Sequence, residues 1–167
     1  MFLDLKRLFT NENASEVFSG LLDFSAEAYS GTHPFVTPIQ VSGTVANNSG
    51  VVKLHYQVDF LFRMPCDRCA VETERRYAFS FDHVLVTSLQ GEDTGDLLVV
   101  ENNQLNVDEL ARADIYLELP TKFLCSPDCK GLCPICGVDR NETDCSCEMN
   151  TENPFAILRK LDLPEEV

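Results

Sequence analysis

Six of the eight cysteines fall between residues 125 and 147, as Cys125, Cys129, Cys133, Cys136, Cys145 and Cys147. The other two, Cys66 and Cys69, stand far upstream, directly after Pro65. Thiolates three residues apart are ligands for a tetrahedral metal, zinc above all, because a tight turn brings both sulfurs to one ion. Cys133-Pro134-Ile135-Cys136-Gly137 has this form, with the glycine free to take the backbone angles the turn demands. Eight cysteines make two four-thiolate sites arithmetically possible. The most economical division is local: Cys133, Cys136, Cys145 and Cys147 around one ion, and Cys66, Cys69, Cys125 and Cys129 around the other. Cys145 and Cys147 are an unusually close pair, so a shared cluster, or one full site with leftover thiols, stands as the alternative.

Competing chemistries are weaker. Four disulfides would use an even number of cysteines. Met1 to Leu5 do not read as a charged and apolar leader, so a reducing, cytoplasmic setting with free thiols is expected. The spacing of Cys129, Cys133 and Cys136 also matches the iron-sulfur motif of radical enzymes, but that motif opens a large barrel, and 31 residues follow Cys136. The pair at 66 and 69 matches half of the nucleobase-deaminase signature, yet His33, His55 and His83 all lack a glutamate two residues on. Four thiolates, moreover, close the coordination sphere and leave no position for a reactive water. No βαβ pattern surrounds Cys66 and Cys69 to suggest a thioredoxin-like redox pair. No nucleophile, base and orienter are visible together, so no enzyme and no small-molecule substrate are expected.

The chain has 167 residues, 44% of them hydrophobic, enough for one domain with a core and a small appendage. No apolar run approaches the ~20 residues that cross a bilayer, so no membrane contact is expected. Net charge is −14, and each four-thiolate zinc site would add about two negative charges. Such a field repels phosphate backbones and steers basic protein partners inward. The dense basic group is Arg63, Arg68, Arg75 and Arg76, flanking Cys66 and Cys69. These arginines are candidates for binding RNA phosphate or an acidic tail. Their default role is to offset thiolate charge and pair with Asp67, Glu72 and Glu74, which lie among them.

The elements that must position these residues are mainly strands. Within residues 1–30, short apolar patches read as an initial strand, a loop and a strand near 16–27. From Ile39, apolar Ile39, Val41 and Val45 alternate with polar Gln40, Ser42 and Thr44, the period of a half-buried strand. Asn47-Asn48-Ser49-Gly50 supplies a turn into a return strand with Val52, Leu54, Tyr56, Val58, Phe60 and Phe62 inward. A third strand carries Tyr77, Phe79 and Phe81, and its apolar phase slips to Val84 and Val86, predicting a β-bulge at Asp82-His83. Cys66 and Cys69 therefore sit at the tip of a long hairpin. Residues 91–96 read as an acidic loop and residues 97–100 as one more strand. Asn106 caps a helix near 107–119, with Leu110, Ala113 and Leu117 as its apolar stripe, widened by Ala111 and Ile115. Asn153-Pro154 opens a second helix over 155–161.

Together these predict an α+β fold: a mainly antiparallel β-sheet with one or two packed helices and a C-terminal cysteine-rich zinc-binding segment. Residues 1–120 form the β-rich domain, residues 121–150 the metal-binding segment packed on the 66–69 hairpin tip, and residues 151–167 a C-terminal helix and tail. The motifs in order are Cys66-Asp67-Arg68-Cys69 after a hairpin, Leu119-Pro120 closing a helix, Cys129 to Gly137 with Asn141 following, and Asn153-Pro154-Phe155-Ala156 with Leu158. This ordered set resembles the YceD-type large ribosomal RNA subunit accumulation proteins over nearly the whole chain. The resemblance implies a factor needed for normal levels of large-subunit ribosomal RNA. Combined with the acidity, it points to a basic ribosomal protein, or a large-subunit precursor, as the partner, with rRNA contact and thiol redox chemistry as the alternatives.

Overall fold

The computed structural model describes residues 1–88 and 97–147. The expected acidic loop at 91–96, the cap at Asn153-Pro154, the helix at 155–161 and the tail through 167 lie outside the described residues. The described residues fold as a five-stranded sheet with a two-stranded annex and few helices. Strand β1 (Phe2–Asp4) leads into a one-turn helix α1 (Lys6–Thr10). Strands β2 (Ser15–Leu22), β3 (Ile39–Asn48), β4 (Val51–Pro65) and β5 (Glu72–Val86) follow as an antiparallel meander. Strand β6 (Leu97–Val99) adds a parallel edge to β5. Strand β7 (Gln104–Asn106) pairs with β1 and runs directly into α2 (Val107–Glu118).

Alternation decides the long strands. In β4 every second residue from Val52 to Met64 is buried, and in β3 Ile39, Val41, Val45 and Asn47 are. These side chains meet the loop joining β2 to β3, which folds over the sheet and is fixed there where the Arg63 N–H donates to the Pro34 carbonyl at 2.9 Å. The core is aromatic: the Phe35 ring lies edge-on to Phe24 at 5.7 Å and to Phe62 at 5.3 Å, and Phe62 meets Phe123 at 5.8 Å. Burying such a ring is worth about 1.5–3 kcal/mol. The β3–β4 turn has Ser49 at φ 53° and Gly50 at φ 87°, the two left-handed residues of a tight hairpin whose twist matches its strands. Asn47 is buried beside it, its amide donating to the Leu8 carbonyl at 2.7 Å and its Oδ1 accepting from the Gly50 N–H at 2.9 Å. One asparagine thus closes the turn and anchors α1. Gly43 lies mid-strand where a Cβ would stand 2.5 Å from the Tyr56 Cβ, so only glycine lets β3 and β4 pair there.

Four expectations need correction. The loop after the first strand contains α1, whose five residues are too short for a helical period to show. The second strand ends at Leu22, where Asp23 Oδ1 accepts from the Ser25 N–H at 3.0 Å and turns the chain. No bulge interrupts β5, which pairs with β4 residue for residue from Val52↔Leu85 to Pro65↔Glu72. His83 keeps the inward place because its Nε2 has a partner, Asp114 Oδ2, at 2.7 Å. Finally, α2 buries Val107, Ala111 and Ile115, whereas Leu117 is 85% exposed. Its cap is as expected, Asn106 Oδ1 accepting from the Asp108 N–H.

Candidate metal centre

The β4–β5 hairpin ends in a turn closed by the Cys66 N–H to the Val71 carbonyl at 2.9 Å and the Ala70 N–H to the Cys66 carbonyl at 2.8 Å. Both sulfurs of this tip are buried. The segment after α2 crosses the tip and is held by several ties. Asp67 grips Phe123 from two sides, its N–H donating to the Phe123 carbonyl at 2.8 Å and its Oδ2 accepting from the Phe123 N–H at 2.7 Å. Arg68 Nη1 donates to the Cys129 carbonyl at 2.8 Å. The Arg75 guanidinium lies over the Phe123 ring at 5.6 Å and donates to the Leu124 carbonyl. The Leu132 N–H donates to the Arg68 carbonyl at 2.9 Å. Gly131, at φ +73°, makes that approach possible, since a Cβ there would meet the Arg68 carbonyl at 2.9 Å.

These ties bring the eight cysteines together in two foursomes: Cys66 with Cys69, Cys125 and Cys129, and Cys133 with Cys136, Cys145 and Cys147. Within each foursome all sulfurs lie within 4.8 Å of one another. Cys66 Sγ is 3.8 Å from Cys129 Sγ, and Cys69 Sγ is 3.6 Å from Cys125 Sγ. Four sulfurs at the zinc-thiolate distance of about 2.3 Å form a tetrahedron with edges of about 3.8 Å, so the first foursome already has the dimensions of a zinc site. The separations are far above a disulfide bond of about 2.05 Å, and all eight cysteines are free. At the second foursome the Gly137 N–H donates to the Cys133 carbonyl at 2.9 Å with Gly137 at φ +74°, the turn that the spacing of Cys133 and Cys136 predicts.

The thiols sense one another. Burial works to raise the Cys66 thiol, but N–H groups of Cys125, Arg68 and Cys69 directed at its sulfur bring it down to about 6. Cys125 is pushed up to about 12 by the neighbouring thiols of Cys129 and Cys69. The second foursome repeats the division: the Cys136 and Ile135 N–H groups lower Cys133 to about 6, and the Cys136 thiol drives Cys147 up to about 12. Four thiols packed this tightly cannot all ionise unaided, whereas a divalent cation at their centre lets them. The donor set is all sulfur, which suits zinc and iron-sulfur chemistry rather than hard cations.

Each of the four candidate arginines has a partner within the chain. Arg63 bonds Glu74 at 2.8 Å and Arg76 bonds Asp59 at 2.9 Å, while Arg68 and Arg75 brace the cysteine segment. The histidines stay outside both foursomes: His55 faces Asp82, His33 the Glu27 carbonyl, and His83 shares Asp114 Oδ2 with the Tyr56 hydroxyl. Two residues that ligand spacing could not single out are Asp67, clamping Phe123, and Asn141, whose Nδ2 lies 3.3 Å from Cys129 Sγ. Asn141 follows Asp139 in a side-chain-closed turn, and Asp-x-Asn after a glycine was the available signal.

The family model described as "Large ribosomal RNA subunit accumulation protein YceD" matches residues 54–162. The match takes in most of β4, all of β5, α2 and both foursomes. A curated relative, "Large ribosomal RNA subunit accumulation protein YCED homolog 1, chloroplastic" from Zea mays, is 25% identical over 145 residues, covering 67% of this chain and 49% of the relative. The chain therefore spans about half the length of the curated relative it matches. No solved structure matches.

Proposed function

We propose a function from one premise: the chain belongs to the YceD family of large ribosomal RNA subunit accumulation proteins. Membership brings a role in accumulation of large-subunit ribosomal RNA. Within that role we read the chain as a non-enzymatic, zinc-binding factor for large ribosomal subunit biogenesis that acts by holding a basic ribosomal protein. The observation that carries the mode of action is charge: a net −14, with each of the four clustered arginines paired inside the chain, Arg68 and Arg75 bracing the cysteine segment and Arg63 and Arg76 in exposed ion pairs with Glu74 and Asp59. Zinc in both foursomes would add about four negative charges. A surface of that sign attracts basic protein and repels an RNA backbone at long range.

The metal's part in this reading is structural. Zinc bound by four thiolates keeps no open position for water or substrate, so it would cross-link the chain and supply no reactive group. Cys66 and Cys69 would hold it from the hairpin tip and Cys125 and Cys129 from the crossing segment, while Asp67, Arg68 and Arg75 align the two. Among the described residues no helix is long and apolar enough to cross a membrane. We place the chain with ribosomes in the cytoplasm; the maize relative is named as chloroplastic.

Affinity capture from a lysate with the tagged, metal-loaded chain tests the reading. Recovery of large-subunit ribosomal proteins, lost as salt rises through a few tenths molar, is expected for a charge-steered contact. Recovery of ribosomal RNA with ribosomal proteins absent contradicts it and favours the arginine tip as an RNA contact.

A further inference from the structure

The two foursomes are joined by one side chain. Asn141 lies in the loop bracketed by the second foursome's Cys136 and Cys145, yet its side chain reaches the first foursome. The Lys130 N–H, which can only donate, approaches Asn141 at 2.8 Å and so fixes that atom as Oδ1. The amide nitrogen is then turned toward Cys129 Sγ at 3.3 Å and Asp139 Oδ1 at 2.7 Å, using both of its hydrogens. Asp139 Oδ1 also accepts from the Asn141 N–H at 2.8 Å, which holds the side chain in this pose. The surrounding backbone forms a continuous ladder: Arg140 N–H to the Gly131 carbonyl at 3.0 Å, Cys133 N–H to the Val138 carbonyl at 2.8 Å, and Leu132 N–H to the Arg68 carbonyl at 2.9 Å. Residues 130–132 are thus sandwiched between the hairpin tip and the second foursome's loop.

We infer that Asn141 is a positioning residue that couples the two metal sites, so that filling the second foursome tightens metal held by the first. This rests on the reading of both foursomes as metal sites. An amide N–H directed at a ligating thiolate stabilises its charge and fixes its direction, and loss of such an outer partner typically costs 10–100-fold in metal affinity. Metal at Cys133, Cys136, Cys145 and Cys147 pins both ends of the loop, which presents the Asn141 amide to Cys129 at a fixed distance. With that loop free, the amide is delivered only part of the time. Coupling of this kind is reciprocal in equilibrium terms.

The test uses the full chain loaded with Cd2+, whose two thiolate sites give separate NMR signals assigned by erasing one foursome at a time. The rate at which each ion leaves to excess chelator is then followed in four proteins: native, Asn141→Ala, Cys145→Ser with Cys147→Ser, and all three substitutions combined. Erasing the second foursome should speed release from the first about 10-fold or more, Asn141→Ala alone should do the same, and the combination should add nothing further. Asn141→Asp keeps the acceptor for Lys130 but turns a carboxylate oxygen toward the sulfur, and should release as fast as Asn141→Ala. Unchanged first-site release in Asn141→Ala, native behaviour of Asn141→Asp, or effects that simply multiply in the combined variant overturns the coupling while leaving two metal sites in place. A chain that takes up no Cd2+ overturns the coupling and the metal reading together.

Discussion

At the scale of single residues, the polar groups that the core tolerates are those with partners. Tyr56, His83 and Asp114 meet between the sheet and α2, the carboxylate accepting from both rings' polar atoms. Asp114→Ala strands a buried hydroxyl and an imidazole together and should lower stability by about 1–3 kcal/mol in urea unfolding. Burial first, and then the hydrogen bond and charge of Asp114, raise the Tyr56 hydroxyl above its ordinary 10. A raised folded-state value means this contribution is intact below pH 10 and is lost above it, as the unfolded tyrosine ionises and the folded one does not. The stability advantage of the native chain over Tyr56→Phe should therefore be flat from pH 7 to 9 and shrink above about pH 10. Gly131 is a second such residue. Gly131→Ala forces a left-handed alanine against the Arg68 carbonyl, a backbone cost of about 1–2 kcal/mol before any shift of the tip. Faster loss of zinc to chelator, with the sheet's circular dichroism unchanged, is the expected result.

At the scale of elements, what the sequence made legible was whatever one period or one spacing decides. Alternation placed β3 and β4 on their faces, a cap asparagine placed the start of α2, and thiol spacing anticipated the two foursomes. Two of the misreadings, in β5 and in α2, share a cause: an apolar side chain was assumed to lie inward where a neighbour settles the matter. Val84 and Val86 do not take the core phase in β5, because the strand keeps its register with β4 without a bulge, so that His83, with Asp114 as its partner, and buried Leu85 hold the inward places. In α2 the sheet accepts the slim ridge of Val107, Ala111 and Ile115, while Leu117 points away. Asn141 was invisible as a contact because its reach to Cys129 depends on a loop folding back by 12 residues. The capping of α2 carries its own test: Asn106→Ala removes the acceptor for the Asp108 N–H and should cost about 1 kcal/mol in thermal or urea unfolding.

At the scale of the whole molecule, the chain is a sheet with its own aromatic core and a cysteine segment with almost none. Residues 121–147 bury Phe123 and little other apolar side-chain surface beyond their cysteines, so their order depends on cross-links. Structural zinc is worth an apparent ~10–16 kcal/mol in small peptides, far more than those contacts supply. The two foursomes should fail differently. Cys133→Ser with Cys136→Ser should open residues 130–147 to protease while Phe123 to Cys129 stay docked, whereas Cys66→Ser with Cys69→Ser should release the whole segment from residue 121 on. The β2–β5 sheet should survive both. Whether the two foursomes hold structural zinc, as proposed, can be read from native mass spectrometry of the reduced chain purified without chelator. Two zinc ions per chain and eight unmodified cysteines are expected; iron, a metal-free chain that is fully folded, or a mass reduced by disulfide formation would rule out two structural zinc sites.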